Sequence, residues 1–343
     1  MKRVILASIL IVPVLLSLAC SRKVQVPAEF SAVPADADIV GTLDAKAFLD
    51  YFKEALPRLA PPEMKDKIPS IQALVEQALK VSGIDISQLK NIIFIGYAGS
   101  EDKMALLAEG VKLSKLEGAT EEDYQGVKVQ SLPQASSYLA QLKTDWIVMA
   151  PSSEMLKKVL DTSAGRQKRL TDGDRAAVLK ELAGQNADLN QLRIYVLSGN
   201  LPGTPPDVKM RGGSLLLHLE KGVSGNLLSD EKSAVDMKNK LDMGLMAARL
   251  AFSMPQQQSG MQLSLDEESQ KAIGEVLNKL ESKVQGGTLS VSYRGNLKPL
   301  IEKAVAMGIN YWNSPSAVEM DKEKEGDDEG EEETEKKEEK EEE

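Results

Sequence analysis

A chain of 343 residues with a single cysteine closes no internal disulfide, so its fold stands on packing alone. Hydrophobic side chains make up 42% of it, enough for a sizeable core. The one cysteine, Cys20, closes a distinctive stretch. Lys2 and Arg3 make a positive start, residues 4–16 are apolar apart from Ser8, and Ala19 stands directly before the cysteine. That apolar run has the length of a secretory signal. It falls short of the roughly 20 residues a membrane-spanning helix needs. In an exported protein an unpaired thiol is a liability, which argues that Cys20 has a use.

The Ala19-Cys20 junction after an apolar run resembles the lipobox of bacterial lipoproteins. The resemblance covers only the first twenty or so residues. It implies that the cysteine receives a diacylglyceryl group, that residues 1–19 are removed as a signal peptide, and that Cys20 becomes the acylated first residue. Ser17 departs from the branched apolar residue the family prefers three positions before the cysteine. Acyl chains at about 0.8 kcal/mol per buried CH₂ hold a protein firmly to a membrane. Residues 20–33 then read as the lipidated cysteine and its tether. In the family an aspartate after the cysteine often signals inner-membrane retention. Ser21 therefore points to a bacterial cell envelope location, lipid-anchored in the outer membrane and facing the periplasm.

The net charge of −10 is unevenly held. Residues 319–343 carry sixteen acids and five lysines, a charge of −11, which leaves 37 basic and 36 acidic side chains elsewhere. The body is nearly neutral. Residues 313–343 read as a disordered acidic tail that solubilises the chain or meets a protein partner with a basic surface. No basic stripe with interleaved aromatics occurs, which argues against nucleic acid. Aromatics at 4% argue against a ring-stacking sugar surface.

Between tether and tail the pattern predicts an α+β fold, with mixed or antiparallel sheets packed with helices. Residues 39–43 read as a strand with Asp44 capping a helix over 45–56, ended by Pro57, Pro61 and Pro62. A helix follows over 70–82. Strands are expected at 91–98, 103–109, 124–130 and 145–150, the last running into a helix that ends near Leu160. This N-terminal half, 34–163, is joined by a polar linker, 164–174, to a C-terminal half, 175–312. There a helix over 175–183, a strand over 191–198 and a hairpin over 214–229 precede helices at 231–254 and 267–284. A strand over 288–293 leads into a last helix over 297–309. Each half ends with a strand running straight into a helix, so the two read as degenerate repeats of a strand–helix unit. Ala35-Asp36, Gly83-Ile84-Asp85 and Tyr124-Gln125-Gly126-Val127 are similar to stretches of exported bacterial proteins with no assigned activity, a resemblance that implies no chemistry.

Catalytic and metal motifs are each incomplete. His218 is the one histidine, so a Ser-His-Asp set has to use it and a zinc site has no second histidine. Its place on a strand beside Leu216 reads as structural. Asn186, Asp188 and Asn190 alternate as in a calcium loop, but Gln191 and Leu197 stand where glycine and glutamate belong. Gly212-Gly213 and Gly286-Gly287 lack the Gly-Lys-Ser/Thr of a phosphate loop. No metal and no cofactor is expected.

One stretch stands apart. Residues 240–254 are apolar nearly all round a helix and rich in methionine. Their expected place is a helix sandwiched in the core. The other reading makes Met237, Met243, Met246, Leu250 and Met254 a soft surface for a hydrophobic ligand, beside an apolar cavity. Three functions follow. The first is a non-catalytic, membrane-anchored envelope lipoprotein acting as a binding or scaffold module through protein contacts. The second is a carrier of a lipid or other hydrophobic ligand along the helix at 231–254. The third is a hydrolase using paired carboxylates or a Ser-Lys pair.

Overall fold

The computed structural model describes residues 28–59, 73, 86–116, 118–132, 136–143, 145–199, 209–253 and 267–312. Strand β1 (Ile39–Asp44) lies in the middle of the sheet. It pairs antiparallel with β2 (Asn91–Tyr97) on one side and β8 (Leu192–Val196) on the other. Beyond β2 come β3 (Ser100–Glu109), β7 (Trp146–Ala150), β6 (Ser137–Lys143), β5 (Val127–Leu132) and β4 (Thr120–Tyr124). Beyond β8 come β9 (Gly212–His218), β10 (Gly222–Leu228), β12 (Thr288–Arg294) and β11 (Glu281–Gln285). The twelve strands of the described residues form one antiparallel sheet. Helices pack on it, and the fold is α+β.

The strand order repeats. Outward from the centre, β1-β2-β3-β7-β6 matches β8-β9-β10-β12-β11, and the two sets meet at the β1–β8 pair. In both sets the fourth strand runs on into a helix: β7 into α2 (Ser153–Ser163), β12 into α6 (Lys298–Trp312). The N-terminal set adds β5 and β4 outside β6. The C-terminal set inserts α4 (Glu231–Ser253) and α5 (Glu267–Lys279) between β10 and β11. α1 (Ala45–Leu59) follows β1, and α3 (Arg175–Ala183) precedes β8.

Alternation along the strands divides the side chains between two faces. On the first, Ile93, Ile95, Leu107, Val148 and Tyr195 are buried under Phe30, Val33, Leu156, Leu160, Leu179 and Leu182. Phe30 meets Tyr195 edge to face at 6.2 Å. On the second face a smaller cluster joins Tyr51 and Ala55 of α1 to Leu217, Leu219 and Ile301. The second face is less fully covered. Met104 and Leu215 remain 48% and 41% exposed, and Ile92, Phe94, Leu106 and Ile194 are half-buried.

Several expectations change. The 124–130 stretch is not one strand: Gln125 and Gly126 take φ of 54° and 82° and turn the chain between β4 and β5, the left-handed pair a two-residue hairpin requires. The helix expected over 267–284 stops at Lys279, because Gly286-Gly287 (φ 54° and 80°) folds 281–285 back onto β12. α1 continues through Pro57 to Leu59, whose packing on the Tyr51–Ala55 cluster carries the helix past the missing N–H. No strand is expected over 137–143, where β6 lies. The end of the tether expected over 20–33 belongs to the body: Ala28–Ala32 form a 3-10 turn, and Phe30 and Val33 are fully buried against the sheet. The 164–174 segment is packed: Leu170 is fully buried and its N–H reaches the Val33 carbonyl at 2.8 Å. The helix expected over 70–82, the anchor at Cys20 and the tail over 313–343 lie outside the described residues.

Candidate functional site

α4 starts at a cap. The Ser233 N–H donates to Asp230 Oδ1 at 2.9 Å, and the Ser233 hydroxyl donates to Oδ2 at 3.0 Å. Those bonds, the backbone one foremost, hold the Asp230 carboxyl below its ordinary value. In the first half of the helix the exposed residues are mostly polar: Glu231, Lys232, Asp236, Asn239 and Lys240, with Val235 among them. In the second half they are Met243, Gly244, Met246, Ala247 and Leu250, with no charge. At 100° per residue Met243, Met246 and Leu250 fall on one stripe. They are 65%, 65% and 53% exposed.

The charges of this second half face the protein instead. Asp242 accepts from Lys238 and from the Ser282 hydroxyl, both at 2.5 Å, which pins α4 to β11 and lowers the Asp242 carboxyl. Arg249 donates from Nε to the Leu277 carbonyl at 2.8 Å and from Nη2 to the Leu280 carbonyl at 3.0 Å. The guanidinium thus meets carbonyls at the C-terminal end of α5, where the helix dipole favours a cation. Leu241, Leu245 and Phe252 lie on the packed side, Asp242 and Arg249 dock the helix at the edge of that side, and Met243 and Met246 stand in solvent.

This corrects the expectation of a helix sandwiched in the core. Met237 is half-buried, Met243, Met246 and Leu250 stand out from the surface, and Met254 lies outside the described residues. The stripe is an exposed ridge. The part played by Asp242 and Arg249 was not legible in the sequence: at about 100° per residue Asp242 lies only about 40° from Met246 and Arg249 only about 60°, so the helical wheel does not set the charges apart from the stripe.

The other candidates hold structural places. His218 ends β9 half-buried, and its Nδ1 accepts the Glu220 N–H at 3.2 Å. Burial, with Lys221 nearby, pushes its imidazole below the ordinary range. Asp188 and Asn186 are bridged by Arg294, at 2.7 Å and 2.5 Å, so a guanidinium sits where the calcium pattern would have placed a cation. Tyr97, Asp36 and Lys158 form a staple, Lys158 donating to Asp36 at 2.6 Å and Tyr97 at 3.1 Å. It ties residues ahead of β1 to α2.

No family model matches the chain, and no curated protein matches it. Among solved structures it is similar to TP0453, a Treponema protein, in two crystal forms. Form III gives a TM-score of 0.41 at 12% identity, over 80% of this chain and 97% of that one. Form I gives 0.39 at 13%, over 80% and 96%. Likeness at this level bears on no individual residue. No described helix is long and apolar enough to cross a membrane.

Proposed function

We propose that the protein is a non-catalytic lipoprotein of the bacterial envelope, acylated at Cys20, that works as a binding module and presents the α4 ridge to lipid. The observation that carries the reading is the exposure of Met243, Met246 and Leu250 on one uncharged stripe, while Asp242 and Arg249 of the same helix turn toward the protein. Leu241, Leu245 and Phe252 occupy the packed side of the same helix, so Met243, Met246 and Leu250 form a second apolar stripe that stands in solvent. Residues 20–27, even fully extended, span at most about 28 Å ahead of the packed Ala28–Ala32 turn, so an acylated Cys20 holds the body close to the bilayer. Methionine suits a disordered acyl surface, being unbranched and polarizable.

The anchor is tested by acyl labelling of cells expressing wild type and Cys20→Ser, with membrane fractionation and protease shaving. Label and membrane retention are expected in wild type and lost in the variant. Shaving distinguishes a body facing the periplasm from one facing outward. A wild-type protein that takes no label and fractionates as soluble would overturn the anchor. The acidic tail supports a second contact, with a basic protein surface, and such a contact weakens steeply with added salt.

A further inference from the structure

A cleft of about 430 Å³ opens on the first face of the sheet, opposite the face on which Ser282 meets α4. Its size falls in the range of small-molecule sites. The floor is made by Thr42, Ile93 and Leu107, which are 5%, 1% and 1% exposed. The rim follows from strand register. Asp44 pairs with Asn91, the Asn91 amide donates to Glu109 at 2.5 Å, Glu109 pairs with Trp146, and Trp146 pairs with Lys143. At the other end Arg193 pairs with Thr42 and donates to its hydroxyl at 3.0 Å.

The charges therefore run in a fixed order across the sheet: cation at Arg193, carboxylates at Asp44 and Glu109, cation at Lys143. The two carboxylate-bearing strands are separated by β2 alone, about 10 Å apart at the usual strand spacing. Asn91 lies midway. Trp146 adds an aromatic wall beside Glu109, a surface that favours an ammonium. Among the described residues Lys143 has no carboxylate within ion-pair reach. Asp44 already caps α1 through the Ala47 N–H at 2.9 Å, which fixes its side chain at the rim.

We propose that this cleft is a binding site for a small zwitterion. Its ammonium sits over Asn91 between Asp44 and Glu109, against Trp146, and its anion reaches Arg193 or Lys143. A free cation would meet the outer guanidinium and ammonium, and a free anion would meet the carboxylates. A ligand with both charges satisfies both sets.

The test is calorimetric titration of the full chain carrying Cys20→Ser with alanyl-alanine and with O-phosphoethanolamine, which offer a carboxylate and a phosphate as the anion. N-acetyl-alanyl-alanine and alanyl-alanine amide each remove one charge. Saturable binding of at least one zwitterion is expected, with each capped dipeptide at least tenfold weaker than a binding parent. Glu109→Gln and Lys143→Gln are each expected to weaken binding about tenfold at unchanged melting temperature. The proposal is overturned if neither zwitterion binds, if a capped dipeptide binds as well as its parent, or if both variants bind as wild type does.

Discussion

The Arg249 guanidinium donates to the carbonyl oxygen of Leu277 at 2.8 Å, which fixes the rotation of α4 about its own axis. With that contact made, and Asp242 on Ser282, the methionines of the same helix have only solvent to face. The exposed ridge is thus a consequence of where the charges dock.

Replacing Arg249 with methionine should cost about 2 kcal/mol, because two backbone carbonyls at the end of α5 lose a charged donor. Urea unfolding of Arg249→Met is expected to show a lower midpoint with an unchanged slope. A shift below about 0.5 kcal/mol, the size of an ordinary surface change, would mean that the contact does not hold the helix.

Gly41 in β1 admits no side chain. A Cβ there would lie 1.9 Å from the Phe94 ring and 2.6 Å from the Arg193 carbonyl oxygen. Gly41→Ala is expected to destabilise by about 3 kcal/mol through overpacking at the central strand. Removing the ring as well, in Gly41→Ala with Phe94→Ala, should fail to restore stability, since the backbone oxygen remains. Denaturant titration of both variants reads this out, and a neutral single variant would contradict the placement of Phe94 across β1.

The Asp242 carboxyl is held below its ordinary 3.8, first by Lys238 and then by Ser282. A lowered carboxyl contributes stability that is fully present above about pH 4 and is lost as pH falls through its folded value. Melting curves between pH 7 and pH 2.5 should therefore fall less steeply below pH 4 for Asp242→Asn than for wild type. Parallel curves would show that Asp242 is not linked to folding.

Much of the fold was legible in the sequence because it was written locally. The apolar run at 91–98, the Asp44 cap and the helix over 175–183 each carry their own pattern, and each appears in place. The readings that failed depended on partners. Residues 281–285 continue a helical pattern until a Gly-Gly turn pairs them with β12, and the alternation over 124–130 hides a hairpin because Gln125 occupies a left-handed position that usually signals itself as Asn or Gly. Nothing local announced the cleft. Asp44, Glu109, Lys143 and Arg193 are scattered over 150 positions and meet only through strand order. The ridge was half legible: the methionines marked the helix, but only tertiary docking decided which way they point.

The α4 ridge is expected to meet lipid. The most direct test is co-sedimentation of the full chain carrying Cys20→Ser, which removes the acyl anchor, with vesicles of phosphatidylethanolamine and phosphatidylglycerol. The comparison is the same chain with Met243→Lys and Met246→Lys. Both residues are exposed, so stability should change by no more than about 0.5 kcal/mol. The account predicts that the chain with native methionines sediments with the vesicles and the lysine form stays in solution. Equal behaviour of the two forms, bound or unbound, would contradict it.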